Sequence, residues 1–152
     1  MQRQPETTRS PIHAFEWFFL LAALYDLVLG IAFFLFYRPI FDALGADPPR
    51  DLSYVHVTAG FVAVQGLGYY FVWRNPLRNV DIVKVGAVYK LVYSAVALYY
   101  LVDGTLPHRV FAWFAVFDLI FLIGFVRFLA TVRSITTEQR PAPRPAAPDT
   151  HG

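Results

Sequence analysis

Four long apolar stretches, at roughly 14–37, 53–73, 80–102 and 108–130, are separated by short polar breaks that contain proline or glycine. At 1.5 Å of rise per residue, each is long enough as an α-helix to cross the roughly 30 Å of hydrocarbon in a bilayer. The pattern predicts an all-α fold, an integral membrane four-helix bundle with antiparallel, up-down helices. Hydrophobic residues make up 57% of the chain and charged residues only 16%, which is too apolar for an ordinary soluble domain. The lipid bilayer is therefore the first expected partner. The chain divides into an N-terminal segment 1–13, a bundle 14–133 and a tail 134–152. The tail sequence Arg-Pro-Ala-Pro-Arg-Pro-Ala-Ala-Pro cannot sustain a helix, so disorder is expected there.

The breaks carry helix-boundary signals. Ser10-Pro11, Asn75-Pro76 and Pro107 each suit a helix start, and Gly45 suits the end of one or two interfacial turns that begin near Arg38. The first apolar run is longer than the core of a secretory signal, so it is expected to remain as a span.

Orientation follows from the basic residues. Arg3, Arg9, Arg74, Arg78, Lys84, Arg127, Arg133, Arg140 and Arg144 fall on one side, against Arg38, Arg50 and Arg109 on the other. The positive-inside rule then places both termini in the cytoplasm. These cations lie between apolar runs and form no continuous patch, so no nucleic-acid partner is expected despite the net charge of +2.

The residues that a span should not contain are the informative ones. Asp26, Gln65, Lys90 and Asp118 lie near the middle of the first, second, third and fourth spans respectively. A charge at the centre of a span costs about 2.5–3.5 kcal/mol, so three of them oppose insertion by roughly 8–10 kcal/mol unless they pair. The expected arrangement turns all four inward, with Lys90 between Asp26 and Asp118 and Gln65 supplying hydrogen bonds. One ammonium and two carboxylates leave a surplus negative charge, so one aspartate is expected to hold a proton. Tyr25 and Tyr93 lie close enough in the helical pattern to line a ligand site beside the cluster, along with Tyr89, Phe114 and Phe121.

Two small-residue faces stand out: Ala22, Ala23 and Gly30 in the first span, and Ala59, Gly60, Ala63, Gly66 and Gly68 in the second. The second is read as packing against a neighbouring helix or another copy. There is no cysteine, and His56 has no mid-span histidine to pair with across a haem. No metal and no cofactor is expected. No Walker loop, dinucleotide fingerprint or nucleophile elbow occurs either, which removes most named enzyme mechanisms.

The segment from Tyr37 to Leu129 resembles, in layout, small uncharacterised bacterial four-span proteins of the DoxX-like group. The resemblance rests on Arg38-Pro39 with Leu44-Gly45, the basic turn Arg74-Asn75-Pro76-Leu77-Arg78 and the last span centred on Asp118. It implies a bacterial inner-membrane setting and association with redox or membrane-modifying machinery. The residues themselves suggest first a module that binds or transports a small or lipid-soluble ligand, with coupled proton uptake. A second reading is a structural accessory subunit of a larger membrane complex or a homo-oligomer, in which the charges act only as a clamp. A lipid-modifying membrane enzyme with Asp26 or Asp118 as acid–base comes last, because no second catalytic group is recognisable.

Overall fold

A computed structural model describes residues 12–138. Among them the chain is all-helical, with α1 (His13–Leu44), α2 (Ser53–Arg74), α3 (Val80–Asp103) and α4 (Val110–Glu138), and no strand. All four are long and apolar enough to cross a membrane. Their outward faces carry large apolar side chains such as Leu21, Val28, Val64, Val88, Val92, Ile120 and Ile123, which only an apolar solvent accommodates in such numbers.

The expected spans match the helices closely in their middles and less well at their ends. The regular helix of the first span is interrupted at Phe36 (φ −124°, ψ 30°), and a second helical piece continues from there to Leu44 within α1. Pro39 explains the bend, because proline removes one backbone N–H and crowds the preceding turn. The turns expected after Arg38 lie in this second piece, beyond the kink. They stop at Gly45, whose φ of 62° is left-handed, with Gly45 N–H donating to Asp42 O and Ala46 N–H to Phe41 O, both at 3.1 Å. Gly104 closes α3 in the same way at φ 77°. Gly45→Ala is expected to cost about 1 kcal/mol in chemical denaturation, since an L side chain is strained in this conformation.

Two of the proline starts need correction. Pro76 lies in a turn four residues ahead of α3, where Asn79 Nδ2 donates to Phe71 O at 2.8 Å and to Asn75 O at 3.0 Å. Pro107 also precedes its helix, which begins at Val110 once the His108 imidazole has accepted the Val110 N–H. Ser10-Pro11 lies outside the described residues. At the start of α2, Asp51 accepts the Ser53 N–H at 2.9 Å, and this hydrogen bonding holds the Asp51 carboxyl below its ordinary value.

The tail boundary also moves. Residues 134–138, assigned from sequence to the disordered tail, continue α4 as helix. Val132 and Ile135 keep one face of this extension against the core. The hydroxyls of Thr131, Ser134, Thr136 and Thr137 bond back to carbonyls three or four residues earlier, so the helix end accommodates these polar side chains. The remainder of the tail lies outside the described residues.

The bundle packs as two close pairs, α1 with α2 and α3 with α4. The first pair is tightest at glycine: a Cβ on Gly30 would lie 2.5 Å from Ala63 N, and one on Gly66 2.5 Å from Leu27 N. The small-residue face of α2 is thus used within the chain, except at Gly60, where a Cβ would meet nothing within 4 Å. The two ends of the bundle differ. The end formed by the first halves of α1 and α3 and the last halves of α2 and α4 is filled by Phe19, Tyr69, Val72, Val83, Phe125 and Phe128. Phe19 and Phe128 meet edge to face at 4.9 Å, and so do Tyr69 and Phe125. The other end is hollow.

Candidate functional site

Where the packed and hollow halves meet, three of the four helices deliver a charged side chain to one point. Asp26 comes from α1, Lys90 from α3 and Asp118 from α4, with relative exposures of 2%, 0% and 5%. Lys90 Nζ donates to Asp118 Oδ1 at 2.7 Å and to Asp26 Oδ2 and Oδ1 at 3.2 and 3.3 Å. The lysine therefore bridges the two carboxylates, as the cost of burying unpaired charge requires. Its remaining surroundings are aromatic: the ammonium lies 5.3 Å from the centroid of the Phe121 ring, 5.5 Å from Tyr69 and 5.8 Å from Tyr25. These distances are within reach of cation–π attraction, which strengthens where water is excluded.

Gln65 does not join the cluster as foreseen. Its amide donates instead to the Tyr69 hydroxyl at 3.2 Å, one turn along the same helix. The contribution of α2 is Tyr69, a fully buried residue that the sequence reading did not single out. Gly86 of α3 makes room for its ring, since a Cβ there would lie 2.6 Å from Tyr69 Cε1. A glycine on α3 opposite a large aromatic on α2 was the available signal, and its meaning depends on knowing that those two faces meet. Ser94 was also missed. One turn beyond Lys90, its buried hydroxyl donates to Ala115 O at 3.2 Å and ties α3 to α4 just above the ion bridge.

A cavity of about 350 Å³ fills the hollow half. Its lining runs from Asp47, Pro49 and Pro107 in the interhelical connections inward to Asp26 and Asp118. Tyr25, Phe33, Tyr89, Tyr93 and Phe114 supply aromatic walls, and Gly30 and Ala59 supply the space. Lys90 is not part of the lining, so the two carboxylates form the floor and the ammonium lies behind them. Tyr93 and Tyr25 both line this cavity together with Asp26 and Asp118. The Tyr93 hydroxyl donates to Phe111 O at 3.3 Å, whereas the Tyr25 hydroxyl is buried without a hydrogen-bond partner among the described residues.

This arrangement combines a preformed apolar chamber near the lower end of the usual 300–1,000 Å³ range for ligand pockets with a small polar patch at its deepest point. No group of histidine, cysteine and acidic side chains suited to holding a metal ion occurs among the described residues. Compared with protein-family models, curated proteins and solved structures, the chain matches none, so its chemistry rests on the residues themselves.

Proposed function

We propose that this protein is a multi-pass membrane protein that binds a small, lipid-soluble molecule in the cavity, with the Asp26–Lys90–Asp118 bridge as the polar anchor at its floor. The observation that carries this reading is the coincidence of an aromatic-walled chamber with two buried carboxylates. A clamp serving only to hold helices together has no need of a chamber that reaches it. Native mass spectrometry of protein extracted in mild detergent tests the reading. The wild type is expected to retain a small molecule that Val62→Phe, which adds bulk to the cavity wall without altering a charged side chain, loses at least tenfold. Equal occupancy in both, or a stoichiometric protein partner with no small molecule, overturns it.

The bundle is read as antiparallel and up-down, with both termini cytoplasmic and the cavity opening on the opposite side of a bacterial inner membrane. The basic residues Arg74, Arg78, Lys84, Arg127 and Arg133 at the packed end support that orientation. The chain has no cysteine, so single cysteines report topology without background. Thr105→Cys is expected to react with a membrane-impermeant maleimide in intact cells, and Arg78→Cys only after permeabilisation.

A further inference from the structure

The cavity is acidic at both ends. Asp47 stands at the mouth and Asp26 and Asp118 at the floor, while no lysine, arginine or histidine among the described residues lines it. Lys90 neutralises one carboxylate from behind the floor, which leaves the buried triad with one negative charge in excess. A bare charge in this setting is costly, so an empty site is balanced by a proton. The neighbouring titratable groups offer no other compensation: Tyr25 from α1, Tyr69 from α2 and Tyr89 and Tyr93 from α3 are neutral hydroxyls, and α4 contributes Asp118 itself. The walls, meanwhile, present aromatic faces of the kind that attract organic cations. Beside them the Tyr25 hydroxyl has an oxygen that accepts no hydrogen bond among the described residues.

We infer that the ligand is a protonated lipophilic amine, which enters from the connection side and displaces the balancing proton from the Asp26–Lys90–Asp118 triad. The charges balance in both states. The empty site holds one neutral carboxyl, one carboxylate and one ammonium; the occupied site holds two carboxylates, the lysine ammonium and the amine cation, with one proton released. The amine N–H groups then have the carboxylate oxygens not taken by Lys90 and the Tyr25 hydroxyl oxygen as acceptors. Its apolar substituents lie among Phe33, Tyr89, Tyr93 and Phe114. A neutral molecule of the same shape fills the chamber but cannot replace the proton.

This inference rests on the cavity being a ligand site, and the test separates the two. Isothermal titration of the full-length protein in detergent uses N-butylbenzylamine, a cation at neutral pH, and its uncharged isostere benzyl butyl ether. The amine is expected to bind at least tenfold more tightly than the ether. Titration in buffers of different ionisation enthalpy is expected to show about one proton released per amine bound, and affinity to rise about tenfold per pH unit while the protonated empty site predominates. Asp118→Asn is expected to erase the preference for the amine. Should that variant not fold, Val62→Phe, with its helical content checked by circular dichroism, is expected to lose both ligands. Equal binding of amine and ether, both lost in Val62→Phe, overturns the amine inference while the ligand site stands. Amine binding without proton release overturns the exchange. Binding of neither molecule also overturns the inference, and the ligand site then stands or falls on the occupancy measurement above.

Discussion

Lys90→Met is expected to lower unfolding stability by about 3–5 kcal/mol, the range for removing one partner of a buried ion pair. The ammonium is fully buried and serves two carboxylates that are themselves almost completely enclosed. Methionine conserves much of the volume and leaves both acids without their counter-charge, so the loss is electrostatic rather than a packing defect. The two carboxylates are not equivalent. Asp118 Oδ1 holds the 2.7 Å hydrogen bond, whereas Asp26 shares longer contacts of 3.2 and 3.3 Å. A double-mutant cycle is therefore expected to give a larger coupling energy for Lys90 with Asp118 than with Asp26. Denaturation in mixed micelles measures both. A loss below 1 kcal/mol for Lys90→Met, or the reverse order of coupling, contradicts the bridge as described.

Gly66→Leu is expected to destabilise the bundle by about 1–3 kcal/mol or more, because an added side chain there meets backbone rather than a flexible neighbour. Its Cβ would lie 2.5 Å from Leu27 N and 2.9 Å from Ala23 O, so α1 and α2 must part for it to fit. Leu27 follows Asp26 in the chain, and parting the helices moves that carboxylate away from Lys90. Gly60→Leu on the same helix is the matched control. Nothing lies within 4 Å of a Cβ at that position, and a change within about 0.5 kcal/mol is expected. Comparable losses for the two variants would contradict close packing at Gly66 as the cause, since leucine is the better helix former and propensity gives no loss at either position. The same denaturation assay decides between them.

Much of the polar site was legible because burial of charge is expensive wherever the helices turn. Asp26, Lys90 and Asp118 had to find one another or forfeit their insertion cost, and the bridge is their meeting. Gln65 was under no such compulsion. An uncharged amide is satisfied by a hydroxyl one turn away, and Tyr69 provides it. Tyr69 itself looked like any other span aromatic, and its place beside the ammonium depends on Gly86 having cleared the opposing face. Helix ends were legible only approximately. Pro76 and Pro107 are compatible with a first turn but do not compel one, and hydrogen bonds in the preceding turns decided where α3 and α4 begin.

The sequence by itself determined four helical spans and the pairing of a central lysine with two aspartates. Both follow from one-dimensional costs, the length needed to cross hydrocarbon and the penalty for an unpaired charge inside it. Only the tertiary structure decided that one end of the bundle is packed with phenylalanine and the other is hollow, and that Lys90 lies behind the carboxylates rather than in the chamber. Those features depend on which faces meet and how closely, and close approach is set by glycines opposite particular backbone atoms, a relation in space that residue order does not express.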